Sequence, residues 1–196
     1  MCIRDRAANG DAAMAMLVTH ISAAAGAMVW MSMEWIRFGK PSALGAVTGM
    51  VAGLGTITPA SGFVGPGGAL IIGILAGFTC FNATLYIKRV LKIDDSLDVF
   101  PVHGVGGALG TLMAGVFSAT GLGVFSGYGF ADGISSMGGQ LYVQFIGVIA
   151  TVVFTAVMTW VILKVVGALL GLRVSEEEET QGLDITMHEE RGYDDL

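Results

Sequence analysis

The sequence predicts an all-α protein that crosses a membrane several times. Three observations carry that expectation. Apolar side chains make up 54% of the 196 residues and charged ones only 13%, about half the share of a water-soluble domain. Glycine is abundant, at 30 residues, and sits among Ala, Val, Leu and Ile without a three-residue period. That pattern excludes collagen-like and Gly/Pro-disordered sequence, and it suits helices whose backbones approach closely in lipid. Lysine and arginine, finally, fall at every second connection between the apolar stretches and nowhere between.

The elements can be taken in order. Residues 1–6, MCIRDR, fit no helix pattern and lack the apolar region and cleavage site of a signal peptide. They are read as a leader foreign to the fold, left by truncation or assembly. A membrane domain over 7–172 then contains five apolar stretches, at about 12–35, 42–57, 67–87, 99–117 and 141–170. A hydrocarbon core of roughly 30 Å needs roughly 20 apolar residues per helix. The first, third, fourth and fifth stretches supply that length. The second is shorter, closes on TPASGFVGPGG, and spans with help from its neighbours. Residues 173–196 form an acidic tail.

The charges orient these spans. Arg37 and Lys40 follow the first stretch, Lys88, Arg89 and Lys92 the third, and Lys164 and Arg173 lie near the end of the fifth. Residues 58–66 and 118–140 hold neither lysine nor arginine. Under the positive-inside rule the N-terminal end lies outside the cell membrane and the tail in the cytoplasm. Trp30, Trp35 and Tyr128 fall near the expected interfaces, where aromatic belts form.

Few polar residues lie at membrane depth, and each needs a reason, because an ionisable group in hydrocarbon is costly unless it lines a cavity or is paired. His103 stands out, in DVFPVHGVGGALGT. A lone neutral imidazole there suits proton handling or hydrogen bonding to a small polar molecule. The other reading is a buried neutral histidine bonding a carbonyl of a neighbouring helix. Val99, one turn earlier on the same face, makes an apolar wall beside it. Gly104, Gly106, Gly107 and Gly110 read as a groove for a close neighbouring helix. Asp98 reads as the N-cap of this helix, and Asp94 and Asp95 as part of a cytoplasmic loop cluster beside Lys92. His20, with Met16 four residues before it, is either an interfacial histidine or part of an outer mouth. Glu34 is expected to pair with Arg37 at the interface.

Other function classes find little support. No basic patch points to nucleic acid. Cys2 and Cys80 have no metal-ligand spacing, and no Cys, Glu or second His lies within helical reach of His103, so no metal is expected. No nucleophile elbow, phosphate loop or pair of catalytic carboxylates occurs, and no cofactor is implied. The acidic run 176–179 reads as a solvated face, while Leu183, Ile185, Met187 and Tyr193 give the tail apolar groups with which to dock.

Three segments in order resemble the ammonium transporter (Amt/Rh) family: WIRFGKPSALGAVTGMVAGLGTITPASGFVGPGGALIIGILAG, DVFPVHGVGGALGTLMAGVFS and GLRVSEEEETQGLDITMHEERGY. The similarity runs from about residue 7 to 193. It implies an eleven-helix subunit built of two inverted five-helix repeats and a final long helix, of which this chain corresponds to the last five helices and the tail. It implies a homotrimer with one narrow pore per subunit. Ammonium is recruited at an outer vestibule past a phenylalanine gate and deprotonated, and two stacked histidines line the pore for the uncharged species. His103 matches the second of those histidines. Three departures stand out: the first repeat, with the first pore histidine, is absent; Met16 stands where the gate phenylalanine is expected; and Pro101 stands where glycine is usual. His20 falls at a polar vestibule position.

The sequence is therefore read as part of an ammonium/ammonia transporter subunit and not as an enzyme, inactive as an isolated fragment, with a PII-type signal protein as a possible cytoplasmic partner of the tail. Two other readings are an ammonium sensor of the same family and an intramembrane enzyme.

Overall fold

A computed structural model describes residues 9–191, so the leader and the last five positions lie outside the described residues. Among the described residues there are helices and turns and no strands. The chain divides into two units, 1–148 and 149–196.

The first unit begins with α1, Gly10–Phe38. Asn9 caps it, its side-chain oxygen accepting the Ala12 N–H at 3.0 Å. Asp11 in the first turn and Arg37 in the last complement the helix dipole. The helix stops at Gly39, whose φ of 80° is the left-handed C-terminal conformation that glycine adopts without strain. Ser42 caps α2, Ala43–Ile57, through the Gly45 N–H at 2.8 Å. The same Ser42 donates its N–H to the Glu34 carboxylate at 2.7 Å. Glu34 thus ties the end of α1 to the start of α2 instead of pairing with Arg37. At 15 residues α2 is about 22 Å long, short of a full hydrocarbon core.

Pro66 opens α3, Pro66–Tyr86, where a missing N–H removes nothing from the ladder. The helix runs on into a π-helical turn, Ile87–Leu91, and ends at Lys92 with φ 53°. The fourth helix, α4, starts with a second π-helical stretch, Phe100–Val105, and continues as regular helix over Gly106–Phe117. Helix α5, Met137–Leu169, starts four residues earlier than the apolar pattern suggests. Ser136 accepts the Gly139 N–H at 3.1 Å, and this side-chain bond sets the start.

Small residues bring α1, α2 and α3 together. Gly45, Gly49 and Gly53 are buried and recur every fourth position along one face of α2, the spacing that lets membrane helices meet backbone to backbone. A Cβ on Gly53 would strike the main chain of Ser22. The buried Ser22 hydroxyl donates to the Gly53 carbonyl at 2.9 Å. On the α3 side, a Cβ on Gly77 would sit 2.8 Å from the Gly26 carbonyl. Two apolar clusters fill the remaining space. Val18, Ile57, Val64, Ile72 and Ala114 form one, and Trp30, Ala52, Cys80, Phe81 and Val102 the other, with Trp30 and Phe81 edge to face at 5.4 Å.

The connections gather at opposite ends by charge. At one end Arg89 stacks over Phe38, 5.2 Å from the ring centroid, which joins the lysine- and arginine-bearing connections after α1 and α3. At the other end the connections without lysine or arginine meet: the Tyr128 N–H donates to the Phe63 carbonyl at 3.0 Å. The long segment between α4 and α5 is pinned by Gly127 N–H to Ala119 carbonyl, 2.9 Å, and Gly129 N–H to Ser118 carbonyl, 2.7 Å.

The second unit carries the rest of α5, whose large apolar side chains such as Phe154, Trp160 and Ile162 are exposed. Its tail holds two short helices, α6 at Glu176–Gln181 and α7 at Leu183–His188. Ser175 and Glu178 form a reciprocal capping box on α6. Arg173 pairs with Glu179 at 2.9 Å. The acidic run is therefore partly used in capping and pairing, beyond being a solvated face. The two Ser175 hydrogen bonds hold the Glu178 carboxyl below the usual carboxylate range.

Candidate functional site

The π-helical stretch that opens α4 carries Pro101 and Val102 inward, both buried, and leaves His103 exposed. His103 flanks α2: its Nδ1 lies 3.7 Å from where a Cβ on Gly55 would stand. Among the described residues no hydrogen bond or ion pair of the His103 ring is recorded. Within the described residues the imidazole bonds no carbonyl of a neighbouring helix. Val99, one turn before it, is 52% exposed. An apolar side chain and an unpaired imidazole therefore lie one turn apart on α4, outside the packed core.

The four glycines after His103 divide. Gly106 and Gly110 are buried at the helix crossing. A Cβ on Gly106 would come within 2.8 Å of Thr56 Oγ1 and 3.2 Å of Cys80 Sγ, and one on Gly110 would strike the Thr56 main chain. Both serve the close approach of α4 to α2 and α3. Gly104 is exposed and faces only the ring of Phe100, at 3.1 Å, and Gly107 faces open space. Those two are not part of a groove for α2 or α3.

Asp98 does not cap α4. Its own backbone is left-handed, φ 55°, and its carboxylate pairs with Lys88 Nζ at 2.7 Å. The free N–H groups at the start of α4 belong instead to Asp95: its two carboxylate oxygens accept from Val99 and Phe100, each at 2.9 Å. A cap normally precedes the helix with extended backbone, and the left-handed turn at Asp98 points its side chain to α3. Periodicity could not reveal either partner. The one usable signal was the crowding of Asp94, Asp95 and Asp98 within seven residues of the lysine-bearing helix end at Leu91.

Met16 and His20 lie together on α1, both exposed, and the His20 Nδ1–H donates to the Met16 carbonyl at 2.9 Å. This bond stays within their own helix and does not bring them to His103. Cys80 is a buried free thiol among the core residues. No group of three or more metal-ligating side chains occurs among the described residues.

Among the described residues, four helices long and apolar enough to cross a membrane and a fifth, shorter apolar one define a multi-pass all-α membrane protein. A family model described as the Ammonium Transporter Family matches residues 3–193, and the chain belongs to that family. It is 43% identical over 187 residues to the ammonium transporter of Bacillus subtilis, covering 95% of this chain and 46% of that protein. A solved structure of a Sensor Amt Protein is similar with a TM-score of 0.81 at 29% identity, covering 91% of this chain and 42% of that one. The crystal structure of Saccharomyces cerevisiae Mep2 is similar with a TM-score of 0.73 at 34% identity, covering 85% and 38%. The chain thus spans less than half the length of the relatives it matches.

Proposed function

We propose that this chain supplies one wall of a pore that conducts ammonium as ammonia, with His103 as the side chain that meets the substrate inside it. One observation carries the reading: an exposed imidazole without a hydrogen-bond partner among the described residues, one turn from the exposed Val99 on a long apolar helix of an ammonium transporter family member. An ion in an apolar pore is costly to hold, while neutral ammonia is not. Ammonium releases its proton near the outer face, the neutral molecule passes Val99 and His103, and His103 hydrogen-bonds it or relays the proton. Met16 and His20, exposed on α1, are candidates for the outer vestibule. Gathering of Arg37, Lys40, Lys88, Arg89 and Lys92 at one end supports an orientation with that end in the cytoplasm and the start of α1 outside. The five helices α1 to α5 are all taken to span the bilayer, α2 with support from α1 and α3. A homotrimer in the cell membrane, and a PII-type protein docking at the tail, complete the proposal.

The test replaces His103 with leucine in the membrane assembly that contains this chain, reconstituted in liposomes. Uptake of a labelled ammonium analogue should be lost or change its selectivity. Unchanged rate and selectivity would remove His103 from the pathway. Likeness to the solved Sensor Amt Protein favours a second reading, ammonium sensing. Ammonium-dependent change at the tail in an assembly that conducts nothing would support sensing over transport.

A further inference from the structure

We propose that the Lys88–Asp98 ion pair is a clamp that positions His103, an inference that rests on His103 acting in the pore. The corner between α3 and α4 contains two wide turns, Ile87–Leu91 and Phe100–Val105, and within two residues of each stands a non-glycine residue with left-handed backbone, Lys92 at φ 53° and Asp98 at φ 55°. A π-turn fits one more residue into the helix than the regular ladder holds, and left-handed backbone at a residue with a side chain is strained. Such features persist where their surroundings fix them. Here the fixing bonds can be named.

Lys88 lies inside the first wide turn and Asp98 two residues before the second, and their charged atoms meet at 2.7 Å. Their side chains are 39% and 16% exposed, so the pair is partly shielded from water. With its side chain drawn to α3, Asp98 turns its carbonyl toward the helix, where it receives the Val102 N–H at 3.0 Å. Asp95 takes the Val99 and Phe100 N–H groups. The upstream end of the wide turn is thereby fixed at Asp98. The downstream end is fixed at Gly106 and Gly110, which leave no room against Thr56. His103 lies between these two anchors, on the stretch that holds the extra residue. Release of Asp98 lets the stretch return to the regular ladder, and one residue of slip turns a side chain by about 100° around the helix axis. The imidazole would leave the line of Val99. Lys88 and Asp98 touch no substrate in this scheme; they act through the backbone that carries His103.

The experiment follows His103 directly and transport separately, in the complete membrane assembly. Ring-labelled histidine gives the His103 resonance by NMR, assigned by its loss in His103→Leu. Lys88→Met and Asp98→Leu should each shift that resonance and lower the maximal uptake rate by up to about a hundredfold, the cost of displacing a working group by about 1 Å, with half-saturation little changed. The exchanged pair Lys88→Asp with Asp98→Lys should return both toward the starting values, because lysine already tolerates left-handed backbone at position 92. Arg89→Gln, on the same turn but stacked on Phe38, should leave the resonance in place. Where a single variant does not fold, Asp98→Glu keeps the charge and reports a partial shift. An unmoved His103 resonance in the folded single variants overturns the clamp, whatever transport does. A resonance that moves while rate and selectivity stay intact supports the clamp and overturns the role given to His103.

Discussion

Gly107 and Gly110 are three residues apart on α4, and the structure assigns opposite outcomes to the same substitution at each. At Gly110 a Cβ would collide with the Thr56 main chain, which a side-chain rotation cannot relieve. Separating α4 from α2 to admit it is an overpacking change of about 1–3 kcal/mol. The gain in helix propensity from Gly to Ala, about 1 kcal/mol, offsets part of this. At Gly107 nothing lies within 4 Å of the added carbon, so only the propensity gain remains. Gly110→Ala should therefore unfold earlier than the parent and Gly107→Ala should not. One kcal/mol moves the midpoint of a chain this size by about 2–4 °C, so the two variants should differ by several degrees. The assay is thermal unfolding of the detergent-solubilised protein, followed by circular dichroism. Equal midpoints, or a less stable Gly107→Ala, would refute the claim that α4 packs on α2 through Gly110.

Three further outcomes are expected. Glu34→Ala removes the acceptor of the Ser42 N–H and hydroxyl and should cost about 1–2 kcal/mol, seen as faster hydrogen exchange at the α1–α2 junction; unchanged exchange there would count against the bridge. The lowered pKa of Glu178 means that its contribution to α6 is present at and above the ordinary carboxylate range near 4.5 and is lost as pH falls through the lowered value. Amide exchange of residues 176–181 should accordingly rise in acid, and the rise should vanish in Ser175→Ala. Vesicles holding only a polypeptide of these 196 residues should not take up a labelled ammonium analogue; uptake there would contradict a pore wall that needs a complementary half.

Much of the fold is legible in the sequence because membrane solvent imposes a strong pattern. Continuous apolar stretches mark the helices, and lysine and arginine mark which connections share an end. The ends of helices are less legible. Ser42 and Gly39 announce themselves by residue type, but α5 starts at Met137 on the strength of the Ser136 side-chain bond, where the apolar pattern is silent. His103 was legible as an ionisable residue without a reason. Its supports were not, because the Lys88–Asp98 contact spans ten residues across a corner and depends on two left-handed backbones. For the same reason Asp98 looked like the cap and Asp95 did not. The glycines show a similar limit: GVGGALG reads as one packing surface, yet only Gly106 and Gly110 meet a neighbouring helix, because the wide turn rotates Gly104 outward and Gly107 faces open space.

The connection between α4 and α5 is held by main-chain bonds and by two side chains: the Ser126 hydroxyl accepts the Leu122 N–H and donates to the Thr120 carbonyl, and the Gln140 side-chain oxygen accepts the Ala131 N–H. Gly127, Tyr128 and Gly129 donate to the carbonyls of Ala119, Phe63 and Ser118. Main-chain bonds do not depend on which side chain a residue carries. Residues such as Val124, 81% exposed, are therefore free to vary in kind without loosening the loop. Gly127 is not, since a Cβ there would lie 2.6 Å from Ser118 Cα. Exposed positions of this connection can thus drift in sequence, changing what it presents to its surroundings, while the frame beneath stays where it is.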